Sequence, residues 1–241
     1  MKRMFALAVG LVMAIGVSTS AFCADATLNL DANSAYVSRG VTYNDGLVLQ
    51  PSLDVLKGGF DINIWGNMDI DDYDGALDSG EFSEVDLAMY YSHSFDKLTV
   101  TGGIIEYIYP LTSKTGGEST EELYVGGSLA IVDGLSLGLS VYYDIDEFKD
   151  TCYSNLSLAY SYPVNKQLGI TAGLAAGYVE RDSEFGDSGF NDYKLSLKAT
   201  YALTDMIGIG ANINYTDAID DDVLATVDVN MFGGVSVNCK F

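Results

Sequence analysis

An all-β, up-and-down antiparallel transmembrane β-barrel of about 12 strands is predicted by three features of this 241-residue sequence. Apolar and polar residues alternate in segment after segment, the connections alternate between short and long, and a short apolar leader precedes the first segment. Successive side chains of a strand point to opposite faces, so each segment has one apolar and one polar wall. Around a closed sheet that pattern places lipid outside and water inside.

The leader is read as a signal peptide over residues 1–23. Lys2 and Arg3 form its positive start, Phe5 to Val17 its apolar stretch, and Ser18 to Ala21 its small residues. The apolar stretch is too short to span a bilayer as a helix. Cleavage after Cys23 puts Ala21 at the −3 position, while bulky Phe22 argues against a lipoprotein site at Cys23. Residues 24–241 then form a single barrel domain.

Twelve strand-like segments follow, at roughly 26–39, 47–56, 60–71, 83–95, 98–109, 122–131, 135–146, 152–162, 167–179, 191–202, 206–216 and 224–241. In the third, Phe60, Ile62, Ile64, Gly66, Met68 and Ile70 oppose Asp61, Asn63, Trp65, Asn67 and Asp69. In the seventh, Leu135, Leu137, Leu139, Val141, Tyr143 and Ile145 oppose Ser136, Gly138, Ser140, Tyr142, Asp144 and Asp146. The last runs from Ala225 to Phe241 with Asp228, Asn230, Phe232 and Lys240 on its polar face. The fifth changes phase, and a β-bulge at Ile104–Ile105 that turns Glu106 inward would restore it.

Short turns at Leu56–Gly59, Phe95–Lys97, Val132–Gly134, Pro163–Lys166 and Leu203–Asp205 alternate with longer connections at 40–46, 72–82, 110–121, 147–151, 180–190 and 217–223. Asp133-Gly134 is a hairpin signal. An even strand number puts both termini and all short turns on one side, the periplasmic side of an exported barrel. The longer loops hold many of the 34 acids, an acidic outer crown on a chain of net charge −22. Such a charge repels nucleic acid and anionic lipid and attracts cations. Tyr143, Tyr178, Tyr193 and Tyr215 near the loop side, and Phe60, Phe95, Tyr160, Tyr162, Tyr201 and Phe241 near the turn side, predict two interfacial belts. A soluble β-sandwich also alternates. It would pack its apolar faces into a dry core and would not keep this rhythm of short and long turns.

The stretch Ser34-Ala35-Tyr36-Val37-Ser38-Arg39-Gly40-Val41-Thr42, then Gln50-Pro51 and Gly59-Phe60 through Trp65-Gly66-Asn67, resembles the opening of the TorF-like porin family. The resemblance covers residues 34–70; beyond them only strand rhythm and length agree. It implies a bacterial outer-membrane porin and supplies no catalytic residues. The terminal strand also resembles those of outer-membrane barrels, in which a closing Phe, here Phe241, is read by the barrel-assembly machinery.

The outward phase of Leu28, Leu30 and Ala32 sends Arg39 inward at the top of the first strand. It would face a polar wall carrying Asp61, Asp69, Glu84, Asp86, Asp144, Asp146, Asp192 and Asp228, and these nine residues are the candidate pore lining. A lumenal Arg among carboxylates either pins the barrel or forms part of a constriction. Pro51 lies on the adjacent strand, where its missing donor must be tolerated, as at a bulge.

Chemistry of other kinds finds little support. The one histidine, His93, is on an apolar face with Ser94 on the opposite one, so the two cannot form a Ser–His pair. Cys152 and Cys239 fall at opposite rims, too far apart for a disulfide. Asp69, Asp71, Asp72 and Asp74 lack the spacing of an EF-hand. The expectation is therefore no enzyme and no cofactor, but a porin or channel in the bacterial outer membrane for passive diffusion of small hydrophilic solutes, cation-preferring because fixed carboxylates line its lumen. The alternative is a non-conducting structural or surface-interaction barrel; a third reading, an outer-membrane hydrolase, requires a catalytic group that the sequence does not place. A lumen of this size is narrow or blocked by an inward-folded loop.

Overall fold

The computed structural model describes residues 24–71, 79–110, 118–225 and 227–241. Twelve spanning strands close a barrel: β1 (Asp25–Asn33), β4 (Val48–Lys57), β5 (Phe60–Asp69), β6 (Phe82–Phe95), β7 (Leu98–Ile108), β8 (Thr120–Val132), β9 (Leu135–Asp144), β10 (Cys152–Pro163), β11 (Leu168–Glu180), β12 (Gly189–Ala202), β13 (Ile207–Ala218) and β14 (Met231–Lys240). Two short strands, β2 (Tyr36–Ser38) and β3 (Val41–Asn44), pair only with each other. Each spanning strand pairs antiparallel with its sequence neighbour, and β1 closes the barrel on β14 through Leu28↔Cys239 and Leu30↔Val237. Reciprocal backbone bonds between Ala26 and Phe241 bring both ends of the barrel to the short-turn side. Gly58, Gly59, Asp96 and Gly134 take positive φ in those turns, as tight hairpins require.

The apolar phase is the outer face. Leu139, Leu174, Val125 and Val235 are half-exposed or more there, although they are the residues a soluble sandwich would bury. The buried apolar cluster is small: Ala35, Val37, Val227 and Phe232, with Leu224 and Val229 beside it. Exposed Phe60, Phe95, Tyr160, Tyr162, Tyr201 and Phe241 ring the turn side, and Tyr143 and Tyr178 lie toward the loop side. This is the distribution expected of a wall solvated by hydrocarbon between two headgroup layers. His93 is exposed on the same wall, edge-on to Phe95 at 4.5 Å, while Ser94 bonds Thr99 on the opposite face. Cys152 and Cys239 are unbridged.

Three expectations are corrected. No bulge occurs at Ile104–Ile105, where β7 keeps unbroken register with both β6 and β8. The change of phase has another cause: Ile105 is a buried apolar residue on the inner wall and Glu106 an exposed acid on the outer one. The first strand ends at Asn33 instead of 39, and the last begins at Met231 instead of 224. Both overruns share one reason, since residues 34–44 and Val227 and Val229 alternate by packing against each other inside the barrel. Pro51 interrupts the β4–β5 ladder between Leu49↔Met68 and Ser52↔Trp65 without shifting its register, so no bulge is needed, and Gln50 spans the gap by donating to Asn67 at 2.9 Å.

Candidate functional site

After β1 the chain turns inward. Ser34 and Gly233 exchange backbone and side-chain bonds of 2.9 and 3.1 Å that start a hairpin directed into the lumen. Its tip, Arg39-Gly40, has φ of 50° and 77°, the paired positive values of a type I′ turn. A side chain on Gly40 would collide with Leu224, so glycine is required by space as well as by φ.

The hairpin is fixed at both ends. At its base, Ala35 and Val37 pack on Val227 and Phe232, and the Val229 amide donates to Thr42 Oγ1 at 3.1 Å. Tyr36 stacks on Tyr43 at 5.1 Å and meets Trp65 of β5 at 5.4 Å. At its tip, Arg39 donates from both terminal nitrogens to the Glu122 carboxylate at 2.7 Å each, a planar two-point pair. Tyr107 donates to the same carboxylate at 2.7 Å, and the Arg39 carbonyl accepts from Asn191 at 2.8 Å. The guanidinium lies over Tyr142 and Tyr153 at 4.5 and 4.8 Å. Burial opposes the charge of Arg39, but the hydrogen bonds and charge of Glu122 outweigh it and hold the group above its ordinary range. Because β8 is five strands from β1 around a twelve-strand ring, this latch crosses the lumen.

The candidate lining residues divide into three groups. Arg39, Asp86 and Asp192 meet at one cavity below the loop-side rim, with Glu84 on the same face of β6 two residues from Asp86. Asp61 points inward nearer the turn side, its neighbour being Asp54. The rest are elsewhere. Asp69 is fully buried at the end of β5 and accepts from the Asp71 amide. Asp144 holds the loop after β9, accepting from Thr120 and from the amides of Asp146 and Phe148. Asp146 is exposed in that loop, and Asp228 is exposed ahead of β14 instead of on it. Asp72 and Asp74 of the acidic run lie outside the described residues.

Arg39 itself is on the hairpin tip, not at the top of β1. Its partner Glu122 was missed by the sequence reading, although Glu122, Tyr124, Gly126 and Ser128 share one phase of β8. Tyr142 was read on the polar face, but not the belt it belongs to: Tyr90, Tyr124, Tyr142 and Tyr153 follow one another at 5.4, 5.0 and 6.2 Å. The hairpin divides the interior. The loop-side cavity, about 530 Å3, holds Arg39, Asp86, Tyr90, Tyr142 and Asp192. The turn-side cavity, about 520 Å3, holds Gln50, Thr171, Lys198, Asn212 and Asn214. Lys194, Tyr36, Trp65 and Phe232 line both.

A closed barrel of twelve strands with an apolar outer wall, a polar charged interior and an inward-folded hairpin has the fold of outer-membrane channels. Three solved structures share that fold. The NanC porin superposes with a TM-score of 0.56 at 12% identity, covering 88% of this chain and 98% of that one. The KdgM porin in complex with disordered oligogalacturonate gives 0.55 at 12% identity, with 90% and 99% covered. The COG4313 outer membrane channel from Pseudomonas putida F1 gives 0.55 at 10% identity, with 90% and 95% covered. The chain belongs to the Gcw_chp family, described as bacterial protein of unknown function, whose model matches residues 17–237. No curated protein matches it in sequence.

Proposed function

We propose that the protein is an outer-membrane channel for small hydrophilic solutes, exported by its signal peptide 1–23 and inserted with Phe241 as the assembly signal. The observation that carries this reading is the β2–β3 hairpin latched across the lumen by Arg39 and Glu122, with a polar cavity on each side of it. A hairpin so placed narrows the lumen while leaving a polar cavity on each side of it, the arrangement of a constricted aqueous path. The resemblance of residues 34–70 to TorF-like porins supports the same reading, since that stretch contains the hairpin.

Arg39, Glu84, Asp86 and Asp192 are the proposed constriction lining. Arg39 is neutralised by Glu122, so the mouth keeps its carboxylates in excess, and small cations are favoured over small anions. Proteoliposomes distinguish this from the non-conducting barrel, which a filled lumen would favour. Swelling is expected to be fast in arabinose, slower in glucose and absent in raffinose. A folded, heat-modifiable protein that gives no swelling with any of the three refutes the channel.

A further inference from the structure

The turn-side cavity runs against the charge of the rest of the molecule. In a chain with 34 acids and 12 bases, the charged side chains lining this cavity are Lys194 and Lys198, both on β12. They are four residues apart on one strand and so point into the same space, roughly 13 Å apart along the strand. Among the described residues neither lysine has a carboxylate in an ion pair, in contrast to Arg39. Asp31 of β1 acts on Lys198 at longer range, and Asp192 on Lys194, without closing on them. Lys194 lies 5.5 Å over the Phe232 ring. Lys194 is half-buried and Lys198 exposed to the lumen, and with no carboxylate closed on either, each ammonium keeps an attraction for a small anion.

The remaining lining specifies which kind of anion. Asn212, Asn214 and Gln50 line it with carboxamides held in place by bonds to one another and to Asn33 and Asn67, and Thr171 and Ser196 add hydroxyls. Trp65 and Phe232 supply flat apolar surface in the same cavity. A bare inorganic anion would use the lysines alone. A ring or chain bearing both a carboxylate and several hydroxyls would use all three kinds of surface at once.

We infer that the turn-side cavity, built on Lys194 and Lys198, is a binding site for a small sugar acid. This deepens the channel reading by naming a solute class. The acids at the mouth slow the entry of any anion, and the lysines, of which Lys194 reaches both cavities, hold a hydroxylated carboxylate once it is inside.

Trp65 makes the test independent of ion flow. It is the sole tryptophan of the chain and lines the cavity, so its emission reports occupancy. Refolded protein in detergent is titrated with D-glucuronate, D-glucose and D-glucosamine, three pyranoses that differ mainly in charge. A saturable change is expected with glucuronate, at least tenfold weaker with glucose and absent with glucosamine. Lys194→Gln should weaken glucuronate about tenfold or more, the usual scale for losing a charge-assisted hydrogen bond, and Lys194→Arg should restore most of it. Lys198→Gln is the second variant, because Lys198 lines only the turn-side cavity and so separates it from the loop-side one. Heat-modifiability on gels verifies that each variant is folded. Equal response to all three sugars, a preference for glucosamine, or glucuronate binding unchanged in both glutamine variants overturns the inference. A barrel that binds glucuronate but passes no current keeps this inference and loses the channel, whereas one that conducts without binding does the reverse.

Discussion

Replacing Arg39 by Ala is expected to raise single-channel conductance by ~2-fold or more, because current through a narrow pore follows its open cross-section. The substitution removes two hydrogen bonds and the ion pair to Glu122 at the far wall, together with the stacking on Tyr142 and Tyr153. What remains to hold the hairpin is the Ala35, Val37, Val227 and Phe232 cluster at its base, the Val229–Thr42 bond and the bond from Asn191 to the carbonyl of residue 39. The cost to the fold is the unpaired Glu122, whose side chain is only 8% exposed. Stripping one partner from a buried pair costs about 3–5 kcal/mol, and the low end applies because Arg39 is 31% exposed. The double variant Arg39→Ala/Glu122→Gln should recover part of that stability while keeping the larger conductance. Urea titration of heat-modifiability and bilayer recordings read the two effects separately. Unchanged conductance in a folded Arg39→Ala barrel means that the latch does not narrow the path.

Leu139→Arg on β9 should cost about 2–4 kcal/mol, the scale for a cation set on the lipid face near the bilayer middle. Leu139 lies midway along β9, half-exposed on the outer wall and paired with Leu156 and Gly127. Its neighbour Ser140 lines the loop-side cavity. Ser140→Arg places the same charge one residue on but in water, and should cost less than ~1 kcal/mol while altering conductance and ion preference. Refolding yield into lipid vesicles across a urea series gives both numbers. Equal costs for the two substitutions contradict the assignment of lipid to the apolar face.

The barrel was legible because its signal is repetitive. Period-two alternation in Phe60–Asp69 or Leu135–Asp144 depends on one pair of solvents acting on every strand, and twelve such segments leave little room for another fold. The hairpin was less legible because it obeys the same local rule for a different reason. Ala35 and Val37 alternate with Tyr36 and Ser38 as a continued wall strand would, yet they pack on Val227 and Phe232 inside the barrel. Only Arg39-Gly40, a two-residue turn between alternating stretches, marked the reversal, and it was read as the end of the first strand and the start of an external loop. Ile105, taken for a bulge, is likewise an apolar residue buried on the inner wall. The latch could not be read at all, since it joins residues 83 positions apart through the ring order of the strands. Inward phase alone puts Glu84, Asp86 and Asp192 on one polar face, and in the fold they lie on the inner wall. It failed for Asp146 and Asp228, where the strand had already ended.

The central claim is an aqueous path past a latched hairpin, and a planar bilayer tests it most directly. Wild-type protein is refolded, inserted and recorded at the single-channel level, with the reversal potential taken across a potassium chloride gradient. The account predicts small discrete steps whose reversal potential lies on the cation side and moves toward zero in Asp86→Asn. A folded, heat-modifiable barrel that stays silent, in both wild-type and Arg39→Ala, would contradict it.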